Sequence, residues 1–252
     1  MAARKPLIAG NWKMYGRAAD LGQIAALADA IGGAAEKIDA LICPPALYIP
    51  QSAWASRGKP ILIGAQDCSA VATDSARTGE FSAAMLADVG AKYVIVGHSE
   101  RRQQHGETDA LVRQKAEAAI AAGLTPIICV GETRAHRDAG DAGRVVSAQV
   151  RASVPETNAA LAVAYEPVWC IGGDRTPSSA EIGEIHLLVR ETLTESLGAG
   201  GNQARILYGG SVGPANAGEI FAIEGVDGAL VGRASLKATD FSAIILAHPA
   251  AR

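Results

Sequence analysis

Residues 164–178 read Ala-Tyr-Glu-Pro-Val-Trp-Cys-Ile-Gly-Gly-Asp-Arg-Thr-Pro-Ser. They contain the end of one predicted strand, a loop and the start of one predicted helix. An apolar run ends on Glu166, and Pro167 prevents the backbone from continuing as a regular strand. A short apolar segment and two glycines follow. Ser178 and Glu181 form a capping box, which predicts that a helix begins there. The stretch therefore predicts a buried strand ending on a carboxylate, a loop able to close over it, and a helix.

Eight short runs rich in Val, Ile, Leu and Ala recur along the chain, and each is continuous rather than alternating. Such runs are typical of strands that are covered on both faces. Helical patterns separate them, and strand alternating with helix predicts a parallel sheet. Eight units in about 250 residues favour a sheet that closes into a barrel. The runs are residues 7–10, 40–43, 61–65, 93–96, 126–130, 161–165, 205–208 and 229–232.

The composition and the lack of a linker indicate one globular domain. Hydrophobic residues make up 49% of the chain and charged residues 19%, which excludes a disordered protein. We therefore expect residues 1–252 to form one α/β domain, a single closed (β/α)8 barrel of eight parallel strands ringed by helices. The net charge of -3, with no basic run between aromatics, argues against a nucleic-acid partner.

The sequence also predicts where the protein works. No segment approaches the roughly 20 apolar residues that span a bilayer, and the N-terminus does not match a signal peptide. The four cysteines are far apart and form no Cys-x-x-Cys pair, as in proteins whose thiols stay reduced. We expect a cytoplasmic protein without a membrane partner.

Polar residues cluster just after the predicted strands. Asn11 and Lys13 follow the first strand, His98 and Glu100 follow the fourth, and Glu166 ends the sixth. The carboxyl ends of barrel strands meet on one face, where barrel enzymes place their active sites. This convergence favours a functional role for Glu166 over that of a solvated loop residue.

Three glycine-bearing loops predict an anion site. Glycine lets backbone N–H groups approach an anion closely, and the loops after strands seven and eight often hold phosphate in barrels of this kind. Together the loops imply a small phosphorylated substrate. They contain Gly172-Gly173, Gly209-Gly210-Ser211 and Gly232-Arg233.

The candidate groups fit one kind of chemistry. Glu166 can act as a general base, and His98, at a predicted helix start that disfavours the charged ring, can donate a hydrogen bond to a carbonyl. Lys13 supplies a fixed positive charge, although a Schiff-base lysine of an aldolase is an alternative. The combination predicts proton abstraction next to a carbonyl, as in an aldose–ketose isomerase. No metal-ligand spacing appears, so neither metal nor cofactor is expected.

Seven motifs, in order, resemble those of the triosephosphate isomerase family, and the resemblance covers essentially the entire chain. It implies a TIM barrel that interconverts dihydroxyacetone phosphate and glyceraldehyde 3-phosphate; the pairing of a glutamate base with a neutral histidine is already known for this enzyme. The motifs are Ala9-Gly10-Asn11-Trp12-Lys13-Met14, Thr78-Gly79-Glu80, Gly97-His98-Ser99-Glu100-Arg101-Arg102, Cys129-Val130-Gly131-Glu132, Ala164-Tyr165-Glu166-Pro167-Val168-Trp169, Tyr208-Gly209-Gly210-Ser211-Val212 and Ala234-Ser235-Leu236.

The resemblance implies a role for each candidate residue. Glu166 would be the base, and His98 would polarise the carbonyl and move protons between oxygens. Lys13 and Asn11 would contact the substrate and stabilise charge on its oxygen, with Glu100 holding Lys13 in place.

The resemblance also implies a phosphate site and a lid. The backbone N–H groups of Gly172, Ser211, Gly232 and Arg233 would hold the phosphate. Ile171 and Leu230 would form an apolar clamp over the base. The lid would comprise Val168, Trp169, Cys170, Ile171, Gly172, Gly173, Asp174, Arg175 and Thr176.

A homodimer is a further implication. The loop at residues 74–81 would reach into a partner subunit through Thr78, Gly79 and Glu80. Thr78 would support the partner's Asn11, and Glu80 would pair with the partner's Arg101.

Four positions depart from the family pattern. Arg233 replaces a usual glycine, which preserves the backbone N–H but adds a guanidinium. Asp174 adds a negative charge to the lid. Pro177 removes the N–H that would bind the Tyr208 hydroxyl when the lid closes. Cys170 replaces alanine and is expected to be exposed and oxidisable when the lid is open.

These departures keep other functions open. The nearest alternative is an isomerase of a related four-carbon ketose phosphate. An aldolase that uses Lys13 and a non-catalytic binding module are more distant possibilities.

Overall fold

Eight parallel strands close into a barrel in the computed structural model, which describes residues 4–170 and 176–251. Each strand pairs with its neighbour in the sequence, and β1 closes the barrel by pairing with β8. The predicted (β/α)8 architecture is confirmed. The strands are β1 Leu7–Asn11, β2 Asp39–Cys43, β3 Ile61–Ala65, β4 Tyr93–Val96, β5 Thr125–Val130, β6 Ala162–Tyr165, β7 Arg205–Tyr208 and β8 Gly228–Val231.

Helices cover the outside of the barrel. None of those in the described ranges is long and apolar enough to cross a membrane. Short 3-10 helices occur at Ala18–Leu21, Ala46–Tyr48, Val168–Cys170, Arg233–Ser235 and Pro249–Ala251. The α-helices are α1 Gly22–Ile31, α2 Ala34–Lys37, α3 Ile49–Ala55, α4 Ala83–Asp88, α5 Ser99–His105, α6 Asp109–Ala121, α7 Arg134–Asp138, α8 Ala142–Ser153, α9 Ser179–Leu197, α10 Ala199–Gln203, α11 Ala217–Phe221 and α12 Ala238–Leu246.

The strands bury both of their faces, which explains their continuous apolar sequences. Leu7 and Ala9 of β1 pack inside the barrel, whereas Ile8 between them packs in the layer shared with the helices. All three side chains are completely buried. Alternate residues of a strand point to opposite faces, so a strand with two covered faces has no polar alternation.

The predicted boundaries agree with the structure to within one residue at each strand end. Gly232, predicted as the end of the eighth strand, lies just after β8. The capping box at the start of α9 is confirmed, because the Ser178 hydroxyl accepts the Glu181 N–H and the Glu181 carboxylate accepts the Ser178 N–H.

His186 of α9 is completely buried behind the barrel's carboxyl ends. Its ring packs against Tyr165 of β6 and Tyr208 of β7, at centroid distances of 5.9 and 6.4 Å. Nδ1 is 3.1 Å from the carbonyl oxygen of Gly225. Burial lowers the pKa of His186 from 6.5 to about 4, because the charged ring would lose its hydration.

We predict that His186 makes the protein less stable as the pH falls. The unfolded chain binds a proton at this residue near pH 6.5, whereas the folded chain does so only near pH 4. Between these values protonation favours unfolding, and the free energy of unfolding should lose about 2 kcal/mol from this group between pH 7 and pH 5. Urea unfolding at one protein concentration should show a flatter pH dependence for His186→Gln. The same pH dependence in both proteins would refute the assignment.

Candidate active site

One cavity of about 290 Å³ lies at the carboxyl ends of the strands. Asn11 ends β1, His98 follows β4 and Glu166 directly follows β6, so closure of the barrel brings together residues distant in sequence. Glu100 lines an adjoining cavity instead. The predicted residues that line the first cavity are Asn11, Lys13, His98, Glu166, Cys170, Ser211, Leu230, Gly232 and Arg233.

The Glu166 carboxylate is only 2% exposed, and three hydrogen bonds hold it. The backbone N–H of Ser99 donates to Oε2 at 2.9 Å, and the Ser99 hydroxyl donates to Oε1 at 3.3 Å. His98 Nε2 lies 3.0 Å from Oε1. A buried carboxylate without donors would be costly, so these donors at the start of α5 allow a charge at this depth.

The pKa values of this pair follow from their contacts. Burial pushes the pKa of Glu166 upward, but His98 and the Ser99 N–H outweigh burial and hold it below its ordinary value. Burial alone would lower the pKa of His98, but the Glu166 carboxylate raises it above its ordinary value. The sequence predicted a lowered pKa for His98 from the helix start. The nearby carboxylate reverses that direction.

The orientation of the His98 ring is set by the backbone of α5. Nδ1 accepts the N–H of Glu100 at 3.2 Å. Because Nδ1 uses its lone pair for this bond, the neutral ring carries its proton on Nε2, the nitrogen that faces Glu166 and the cavity. His98 is thus prepared to donate from Nε2.

Two glycines on neighbouring strands make room for Glu166. A Cβ atom on Gly131, after β5, would lie 1.7 Å from the carbonyl oxygen of Glu166, which excludes any side chain there. A Cβ atom on Gly209, after β7, would lie 2.8 Å from the Cγ atom of Glu166. The two glycines therefore fix the slot from which the carboxylate extends.

Lys13 is held in a strained conformation beside the cavity. With φ of 52°, it has the only positive φ among the described non-glycine residues. The Asn11 side chain accepts its N–H at 2.9 Å, and Gln66 donates to its carbonyl oxygen at 2.8 Å. Its ammonium pairs with Glu100 at 2.6 Å, which is the contact predicted for these two residues.

The loops after β7 and β8 form another part of the cavity wall. Ser211 and Gly232 line it, and Gly232 immediately precedes the 3-10 helix Arg233–Ser235. A Cβ atom on Gly232 would lie 3.7 Å from the Cε atom of Lys13, so the lysine side chain runs beside this backbone. Backbone N–H groups next to a lysine are suited to bind an anion.

The predicted lid lies partly outside the described residues. Val168, Trp169 and Cys170 form a 3-10 helix, and Thr176 is exposed. Leu230, the second half of the predicted clamp, is buried and lines the cavity. Ile171, Gly172, Gly173, Asp174 and Arg175 are outside the described ranges.

Cys170, which the sequence predicts to be exposed when the lid is open, is buried in the described structure. Its exposure with an open lid stays a prediction, because residues 171–175 lie outside the described ranges. The residue is 3% exposed and lies beside the Tyr208 hydroxyl and the Ser211 N–H. Burial raises the pKa of the Cys170 thiol, which makes the reactive thiolate scarcer. Packing of the 3-10 helix against the loop after β7 covers a side chain that the sequence places in an open loop.

Glu132 ties the start of the lid to the loop after β5. It is completely buried, and its Oε1 accepts the Trp169 indole N–H at 2.6 Å and the Tyr165 hydroxyl at 3.1 Å. Arg137 lies 3.8 Å from the same oxygen and pairs at 3.0 Å with Glu181, just beyond the lid. Both ends of the lid are thus connected through α7. No sequence pattern predicts a role for Glu132 or Arg137, although Glu132 lies in one of the seven motifs.

The residues predicted to contact a partner subunit make local contacts in the single chain. Glu80 accepts a hydrogen bond from the Ser69 hydroxyl and pairs with Arg77. Arg101 pairs with Asp67 and with Glu107. Together with Glu100, the residues Gly79, Glu80 and Arg101 line the adjoining cavity of about 680 Å³.

The fold and the cavity define a (β/α)8-barrel isomerase, with a buried carboxylate, a ring donor and a fixed lysine around one small cavity. A family model described as triosephosphate isomerase matches residues 6–248. The chain belongs to the triosephosphate isomerase family.

Individual relatives resemble nearly the full chain. It is 57% identical over 247 residues to a triosephosphate isomerase of Afipia carboxidovorans, covering 97% of this chain and 98% of that one. It is 52% identical over 249 residues to a triosephosphate isomerase of Bradyrhizobium diazoefficiens, covering 98% and 99%. The crystal structure of triosephosphate isomerase from Bartonella henselae matches with a TM-score of 0.89 and 41% identity, covering 96% of this chain and 98% of that chain.

The slot around Glu166 gives a test of positioning. We expect Gly209→Ala to push the Glu166 side chain from its place and to lower kcat by about 10²-fold, the effect of a misplacement of about 1 Å. Gly213→Ala is the matched control, because a Cβ atom there meets nothing within 4 Å. Isomerase kinetics of the two variants check the prediction. Equal kcat values would show that the slot does not position the carboxylate.

Proposed function

We propose that the protein interconverts dihydroxyacetone phosphate and D-glyceraldehyde 3-phosphate, the aldose–ketose isomerisation that its family name implies. The observation that carries this proposal is the buried Glu166 carboxylate with His98 Nε2 3.0 Å away, both in a cavity of about 290 Å³. A base and a donor at this spacing can act on adjacent carbon and oxygen atoms of one small substrate.

In the proposed mechanism, Glu166 takes a proton from the carbon next to the carbonyl. The electron pair moves onto the carbonyl oxygen, to which His98 Nε2–H donates, and an ene-diolate forms. His98 moves a proton between the two oxygens. Glu166 then returns its proton to the neighbouring carbon, which exchanges the positions of the carbonyl and the hydroxyl. The atoms balance without a redox partner.

Glu166 must exchange its bonds with Ser99 for contact with the substrate. The bond from the Ser99 N–H is among the contacts that hold the pKa of Glu166 down in the free protein. When the bonds with Ser99 are given up and the lid covers the cavity, burial becomes dominant and raises the pKa of Glu166, which makes the carboxylate a stronger base.

The remaining candidate residues bind or stabilise. Lys13 and Asn11 stabilise the negative charge that develops on the substrate oxygen, and Glu100 positions Lys13 through their ion pair. Ile171 and Leu230 close over the base. The phosphate is held by the N–H groups of Gly172, Ser211, Gly232 and Arg233, and the lid consists of residues 168–176.

Three alternatives fit less well. The cavity is at the small end of the range for ligand sites, about 300 Å³, which favours a three-carbon over a four-carbon phosphate. A Schiff-base aldolase needs a neutral lysine amine, whereas the Lys13 ammonium is paired with Glu100. A binding module without catalysis would not require a strained lysine beside a buried carboxylate.

A coupled isomerase assay tests the function and the base together. The protein should turn over glyceraldehyde 3-phosphate faster than a four-carbon ketose phosphate. Glu166→Gln should lower kcat by about 10²–10⁴-fold, because the amide cannot accept the proton. Glu219→Gln, which removes an exposed carboxylate outside the cavity, serves as the matched control.

Negligible turnover of the three-carbon substrate would reject the proposed function. A loss below tenfold in Glu166→Gln would mean that another group is the base. Borohydride trapping of the substrate on Lys13 would favour the aldolase.

We also propose a homodimer that uses Thr78, Gly79, Glu80 and Arg101. Support comes from exposed apolar side chains around the adjoining cavity, including Met14, which is 95% exposed.

Sedimentation should give twice the chain mass of 25.8 kDa. Met14→Glu should reduce the mass to that of one chain, whereas Trp54→Glu, an exposed site outside that cavity, should not. A single-chain mass for the unmodified protein at micromolar concentration would reject the dimer.

We further propose that residues 1–252 form one barrel domain and that the protein works in the cytoplasm. Support for one domain is that the family model spans residues 6–248. A phosphate ester is charged at neutral pH and does not cross a bilayer unaided, so its isomerase is needed where the substrate is made.

A further inference from the structure

Arg233 is an exposed cation on the wall of the active-site cavity. It is the first residue of the 3-10 helix Arg233–Ser235, directly after the glycine beside which the Lys13 side chain runs. In the described part of the chain its guanidinium has no carboxylate partner within ion-pair distance, whereas those of Arg101 and Arg102 do. A guanidinium without a partner next to an anion site is available to a ligand.

The charges of the described residues around the cavity give Arg233 a specific importance. The Lys13 ammonium is already compensated by Glu100. The Glu166 carboxylate is held by neutral donors and by His98, so it brings a negative charge to the cavity. Arg233 therefore adds to the cavity wall a positive charge that no carboxylate of the described residues compensates. Such a charge strengthens the attraction of the site for a phosphate dianion.

We infer that the Arg233 side chain is a specificity-determining residue that attracts and contacts the phosphate of the substrate, in addition to the backbone N–H groups of the loops after β7 and β8. The inference depends on the proposed function in one respect only, which is that the phosphate ester bound in the cavity is a triose phosphate. The attraction itself applies to any small phosphate dianion. The Arg233 guanidinium therefore strengthens binding of the substrate and also of free inorganic phosphate, which competes for the same part of the cavity.

Inorganic phosphate is the probe for the test, because its binding requires no turnover. Calorimetry should be performed on the intact protein at low and at high ionic strength. Arg233→Gln keeps the backbone N–H and removes the charge, and it should weaken phosphate binding about tenfold at low ionic strength. The difference should shrink to about twofold at high ionic strength, because salt screens an exposed charge. Arg233→Lys should restore most of the affinity.

Lys237→Gln is the matched control, because it removes one exposed positive charge four residues away and outside the cavity. It should leave phosphate affinity unchanged. In the isomerase assay, Arg233→Gln should raise KM for the phosphate ester more than it lowers kcat, since a binding contact is lost.

Unchanged phosphate affinity in Arg233→Gln at low ionic strength would overturn the inference. An equal loss in Lys237→Gln would also overturn it, because net charge and not position would then govern binding. Weakened phosphate binding without triose phosphate turnover would support the anion contact and reject the proposed function. Normal triose phosphate turnover, with phosphate binding unchanged in Arg233→Gln, would support the proposed function and reject the anion contact.

Discussion

The site depends on keeping a charged carboxylate buried among hydrogen-bond donors from a single loop. Glu166 lies at the end of β6, and its three donors come from His98 and Ser99 beyond β4, two strands away. Such a bond set exists only if the barrel is closed in the observed register. Loss of the donors would leave an uncompensated buried charge, which proteins avoid by unfolding locally or by protonation.

The barrel supplies this geometry through backbone contacts as much as through side chains. Gly131 and Gly209 let the strands on either side of β6 approach the Glu166 residue closely. Hydrogen bonds from the Lys13 N–H to Asn11 and from Gln66 to the Lys13 carbonyl oxygen hold Lys13 at a positive φ, which is unfavourable in an unfolded chain. The barrel itself therefore holds Asn11, Lys13 and Glu166 beside one cavity, and in the proposed mechanism binding still requires Glu166 to exchange its Ser99 bonds and the lid to close.

Much of the fold and of the site could be predicted from the sequence, because the carboxyl ends of all strands in a parallel barrel lie on the same face. The apolar runs predicted eight strands, and Asn11, Lys13, His98 and Glu166 meet as expected. The burial of Cys170 and the role of Glu132 could not be predicted, since both depend on packing between distant loops. The pKa direction of His98 was missed because the distance to Glu166 is a tertiary property.

The central claim is that Glu166 moves a proton between adjacent carbons of the substrate. Turnover in deuterium oxide, followed by NMR of the product, tests it most directly. A carboxylate that holds the proton in an ene-diolate complex exchanges it with solvent, so the product should carry deuterium at the carbon next to its carbonyl. A product that retains its original hydrogen throughout, with no solvent deuterium, would indicate a hydride shift and would contradict the account.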